Sequence, residues 1–179
     1  MYIARQKRQE NIAEYLIYMW QIEDIIRANG LDIDRIKKNV IDRYQLSPDA
    51  EKEMTDWYQS LIDMMRDENV QEHGHLQINR NVMIRLVELH QALLKDPRFP
   101  EYTAQFYKAL PFIVELRAKA GEAAVGELET CFTALYGMLM LRLRSREVSP
   151  ETETAMKQIS TFIAMLARHY HAGDVEEKE

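Results

Sequence analysis

Trp20, Glu23 and Arg27 recur at three- and four-residue spacing in an apolar segment, so a helix would carry all three on one face. An indole, a carboxylate and a guanidinium held together could bind and orient a polar ligand. Glu23 and Arg27 also stand in the i, i+4 order, acid first, that favours an intrahelical ion pair. Tyr15, Tyr18 and Asp24 complete this polar and aromatic cluster. Trp20 needs a partner for its indole N–H wherever it is buried. His90 lies one turn from Leu86 and from Leu94, at the border of a later apolar face. Imidazole is the side chain that titrates near neutral pH, which suits it to carry protons. Trp20, Glu23, Arg27 and His90 are therefore the candidate ligand- or cofactor-binding pocket, opened if Pro111 bends a facing helix away. The simpler reading is an amphipathic helix with a salt-bridged flank, plus a core histidine whose hydrogen bonds are satisfied. The catalytic residues, if any, stay unknown.

Two His-x-His pairs, His73/His75 and His169/His171, raise metal binding, because imidazole suits zinc, nickel or copper. Residues i and i+2 of a helix point apart, so each pair could chelate only from extended or frayed backbone. A di-iron carboxylate bundle needs two Glu-x-x-His pairs. The chain has one, Glu72 with His75, and Gly74 interrupts it. No metal and no cofactor are expected. The six glycines are scattered singly, which removes phosphate-binding loops and dinucleotide fingerprints, and neither a nucleophile elbow nor a His-Glu-x-x-His run occurs. Arg142, Arg144 and Arg146 could clamp an anion, although a solvated helix end serves equally well. Cys131, the lone cysteine, sits in an apolar run and reads as a buried thiol acting as a small hydrophobe.

The elements that must position these residues are helices. A first helix from about Tyr2 to Asn29 carries Ile12, Tyr15, Met19, Ile22 and Ile26 on one face and would be about 42 Å long. Asn29-Gly30 ends it through a left-handed cap. Asp32 caps a shorter helix to about Gln45, and Ser47-Pro48-Asp49 starts a third. Residues 69–81 form the main irregular stretch. A fourth helix ends before Pro97, and a fifth begins near Pro100, kinked or split at Pro111. Gly121 breaks the chain, a sixth helix runs through Ala124 to the alternating Leu and Arg of 139–146, and Ser149-Pro150 starts the last. The expected fold is an all-α, single-domain, mostly antiparallel bundle of about seven helices with a long first helix. The single helical domain spans 1–171, and an acidic, disordered tail occupies 172–179.

The formal charge of −6 argues against duplex nucleic acid as a partner, since only Arg5, Lys7 and Arg8 cluster at the N-terminus. A single cysteine excludes an intramolecular disulfide, and no apolar signal region opens the chain. The longest uncharged stretch, Thr130 to Leu141, is 12 residues, against about 20 for a membrane helix. A cytoplasmic location without membrane insertion is expected.

The segment Asn11-Ile-Ala-Glu-Tyr-Leu-Ile-Tyr-Met-Trp-Gln-Ile-Glu-Asp-Ile-Ile-Arg27 resembles the opening of an uncharacterised bacterial family, a domain of unknown function of similar length. Leu86-Val-Glu-Leu-His90 is similar to a later stretch of it. The resemblance implies an all-helical fold and brings no activity, cofactor or site residue. Wide apolar stripes, ten methionines and missing catalytic signatures make a non-enzymatic protein–protein interaction or scaffolding module the leading expectation, as a homo-oligomer or with another protein. The alternative is a small-molecule-binding protein or an unfamiliar enzyme using the polar pocket.

Overall fold

Helix-capping chemistry sets most of the element boundaries. The structure, a computed structural model, describes residues 2–120 and 125–173. Among these residues it contains eight α-helices and one short 3₁₀ helix, with no strand. They are α1 (Tyr2–Glu10), α2 (Ile12–Ala28), α3 (Ile33–Asn39), the 3₁₀ helix (Ile41–Tyr44), α4 (Pro48–Asp67), α5 (Gln77–Lys95), α6 (Pro100–Ala120), α7 (Glu127–Leu143) and α8 (Pro150–Ala172). Ser47 and Ser149 cap α4 and α8 by accepting the Ala50 and Thr152 amides, each with proline in the first turn. Asp32 accepts the Asp34 and Arg35 amides at the start of α3.

The expected long first helix is two helices. Asn11 leaves the helical path, and its Oδ1 accepts the Ala13 amide at 3.1 Å, which starts α2 afresh. The Ile12 amide, freed from its helical acceptor, donates to His171 Nε2 at 2.9 Å. Asn29 and Gly30 end α2 as expected. Gly30 and Leu31 are left-handed, and the Leu31 amide reaches back to the Ile26 carbonyl.

Two further boundaries differ from expectation. The helix after Asp32 stops at Asn39 and yields to the 3₁₀ helix, so Gln45 falls in a left-handed turn. Helix α5 begins at Gln77, which confines the irregular stretch to about 69–76. Of the two outcomes expected at Pro111, a kink or a split, the split does not occur, and α6 continues to Ala120. The proline lies on the solvent face, where water can take the carbonyl its missing N–H leaves open. The break expected at Gly121 and the residue Ala124 lie outside the described residues. So does the acidic tail from 174 onward, whereas Ala172 still belongs to α8 and left-handed Gly173 caps it.

The chain divides into two compact units, one built from residues up to Gln9 with Glu14–Asn81, the other from Glu10–Ala13 with residues from Val82 onward. In the first, α3, α4 and the 3₁₀ helix pack together, burying Ile36, Ile41, Met54, Tyr58 and Ile62. In the second, α6, α7 and α8 pack pairwise over Phe106, Ile113, Phe132, Ile159 and Phe162. No described helix is long and apolar enough to cross a membrane.

Candidate functional site

Helix α2 presents Trp20, Glu23 and Arg27 to the irregular stretch of the first unit, and each engages it. Glu23 is completely buried. Its Oε2 lies 2.6 Å from His75 Nδ1, and its Oε1 accepts the Leu76 amide at 2.9 Å and Asn79 Nδ2 at 2.6 Å. The His75 ring stacks on Trp20, with centroids 4.2 Å apart and planes 12° from parallel. Glu23 therefore sits at the first turn of α5, where unpaired amides and the helix dipole favour negative charge. Glu68 adds to this by accepting the Gln77 amide.

The anticipated Glu23–Arg27 ion pair does not form. Arg27 Nη1 pairs instead with Asp24 at 3.0 Å, and Nη2 donates to the carbonyls of Val70 and Gly74. A carboxylate that can reach backbone amides, and a guanidinium that can reach carbonyls, gain more there than from a helix-surface pair worth a few tenths of a kcal/mol. Gly74 has a φ of 84°, a conformation that brings its carbonyl to Arg27 at no side-chain cost. Glu23 and Arg27 thus clasp the stretch 70–76 from two sides. The acceptor sites of Glu23 are directed at three donors, which leaves its carboxylate a structural group.

His90 belongs to the second unit and has its own surroundings. It is 4% exposed, its Nδ1 lies 2.7 Å from the Tyr102 hydroxyl, and the rings of Phe106 and Phe162 meet it edge-on. Among the described residues its Nε2 has no hydrogen-bond partner, with Glu127 Oε2 3.9 Å away, too far for a bond. Burial lowers the His90 pKa from 6.5 to about 4, so the imidazole is neutral at physiological pH. Burial also raises the Tyr102 hydroxyl and pushes the Cys131 thiol up to about 12, with Glu127 adding to the latter. A thiol held protonated is a poor nucleophile. Cys131 is buried as expected.

The histidine pairs separate. His75 turns to Glu23, His171 accepts the Ile12 amide, and His169 lies edge-on to Phe99 and Tyr102. Among the described residues no three of His, Cys, Asp and Glu gather as they would to hold a metal ion. Arg142 lies in the last turn of α7 while Arg144 and Arg146 lie past its end, all three exposed. In the N-terminal basic cluster, Lys7 pairs with Glu14 at 3.1 Å and Arg8 lies over the Tyr15 ring.

Sequence reasoning missed an apolar cleft of about 220 Å³ in the first unit. Tyr2 and Ile3 of α1, Tyr44 and Leu46 around the end of the 3₁₀ helix, and Ala50 and Met54 of α4 line it, with Glu53 the one charged residue. Tyr2 is 74% and Tyr44 54% exposed. The available signal was local. Tyr44 and Leu46 are large apolar residues in a short polar connection, and Tyr2-Ile3 opens a helix otherwise rich in charge.

The chain matches, over residues 1–177, the family model described as a domain of unknown function, DUF4924, and it belongs to that family. No curated protein and no solved structure matches it.

Proposed function

We propose that the chain is a cytoplasmic protein–protein interaction module whose first unit receives an apolar side chain of a partner protein in the cleft between α1, the 3₁₀ helix and α4. The observation that carries this reading is the cleft itself, open, almost wholly apolar, and built from side chains that leave large aromatic area in water. Exposed aromatic surface rimming a depression is the usual ground for an interface anchor. The volume points to a side chain over a free ligand. About 220 Å³ accommodates one large residue, whereas sites that enclose drug-sized molecules begin at roughly 300 Å³. The polar residues that would support an enzymatic reading are occupied otherwise, Glu23 and Arg27 by backbone groups and Cys131 by burial.

The test is site-specific crosslinking in the native host, with a photoreactive residue in place of Leu46. The reading expects one dominant conjugate that disappears when Met54→Asp is added. A conjugate pattern indifferent to Met54→Asp contradicts it.

A further inference from the structure

Helix α6 turns one face into the core of its unit and leaves the opposite face without a partner among the described residues. Tyr102, Phe106, Ala109 and Ile113 are buried. The outer face carries Ala104, Tyr107, Pro111, Val114 and Ala118, all exposed, at successive spacings of three, four, three and four residues. That is the pattern of a helix–helix seam, in a position where solvent normally selects polar residues. Tyr107 and Val114 are 62% and 55% exposed, so no described residue shields the seam. Along one flank run Glu101, Lys108, Glu115 and Lys119, with signs that alternate.

We infer that this face is a homodimer seam in which α6 of one copy packs antiparallel against α6 of a second, about a two-fold axis at Pro111. The inference rests on the reading of the chain as an interaction module and names the partner of one surface, a second copy of itself. The charge row selects the occupant. Reversing the helix about residue 111 sets Ala104 level with Ala118 of the other copy and brings Tyr107 within one residue's rise of Val114. In antiparallel pairs the same flank of both helices meets, so Lys108 comes beside Glu115 of the other copy, and Glu101 within reach of Lys119. Each contact occurs twice, as a two-fold interface requires. Within one chain Glu115 pairs with Lys119 at the surface, a contact exposed enough to exchange. Small Ala104 and Ala118 at the ends allow close approach of the helices, and Pro111 at the axis has no N–H left unpaired by burial.

Sedimentation equilibrium of the full chain tests this. At about 50 µM, suited to the micromolar association of a single-helix seam, the wild-type chain sediments at twice the 21.1 kDa subunit mass. Tyr107→Glu and Val114→Glu each return the single mass, while their circular dichroism, and their melting at a concentration low enough for the wild type to be monomeric, stay as in the wild type, because both positions face solvent in the single chain. Lys108→Glu weakens the dimer at least tenfold, and Lys108→Glu with Glu115→Lys restores it. Pro111→Cys forms a disulfide-linked dimer on mild oxidation, whereas Ala104→Cys does not. A wild-type chain that is monomeric at this concentration overturns the inference, and so does a dimer that neither glutamate substitution dissociates. Either result leaves the cleft of the first unit untouched, since its crosslinking test uses no α6 residue.

Discussion

Glu23 Oε2 lies 2.6 Å from His75 Nδ1 while the other oxygen of the same carboxylate receives the Leu76 amide. One buried acid thereby ties α2 to an imidazole and to the first turn of α5. The arrangement has the residue types of a catalytic dyad, yet its geometry is that of a helix cap delivered from a distant part of the chain. A buried charge is tolerated only when its hydrogen-bonding capacity is met, and here three donors meet it.

Removing that acid strands the donors. Glu23→Ala leaves the Leu76 amide and the Asn79 side chain unpaired in the interior, and we expect a loss of about 3 kcal/mol in urea unfolding. Glu23→Gln keeps one acceptor oxygen and recovers part of the loss. Equal stability of wild type and Glu23→Ala would show that the clasp contributes nothing.

Arg27→Met releases the Val70 and Gly74 carbonyls. Amide exchange should quicken across residues 70–76 while the α8 amides keep their protection, because local opening draws on local contacts. Uniform acceleration along the chain would instead mean that Arg27 supports global stability.

The sequence made helices legible wherever a cap residue and an apolar period agree, as at Ser47-Pro48, Ser149-Pro150, Asp32 and Asn29-Gly30. It misled where tertiary partners decide. Asn11 interrupts a continuous apolar period, and Ile12 finds its acceptor in His171, 159 positions away. Glu23 and Arg27 satisfied the helical pairing rule but were drawn to backbone groups about 50 positions distant. The cleft showed only as isolated apolar residues for a related reason, since Tyr2, Tyr44 and Met54 become neighbours only through folding.

Stability should fall in acid through His90. Burial holds its folded pKa near about 4 against the usual 6.5, so the folded chain carries it neutral. Below about 6.5 the unfolded chain binds a proton that the folded chain refuses. The contribution of His90 is therefore complete above that pH and declines as pH drops towards about 4, by at most about 3 kcal/mol. Urea unfolding of wild type and His90→Phe at about pH 7 and about pH 5 should show a smaller pH-linked loss in the variant. Identical pH slopes would remove His90 from the account.

Cys131 should be inert in the folded chain. With its thiol pushed up to about 12 and no exposed surface, it should resist a thiol reagent at about pH 8 and react fully on unfolding. Rapid labelling of the native chain would contradict its burial.

The interaction reading stands or falls on the cleft. The most direct measurement is recovery of the crosslinked host protein by Tyr44→Asp, set beside recovery by His75→Ala, with melting followed for both. Tyr44 is more than half exposed and lines the cleft, whereas His75 supports the clasp. We predict that Tyr44→Asp melts like the wild type and loses at least about tenfold in recovery, the effect of about 1.4 kcal/mol at an anchor. His75→Ala should melt earlier and recover the partner normally. Full recovery by Tyr44→Asp, or loss confined to His75→Ala, would contradict the account and return attention to the polar cluster.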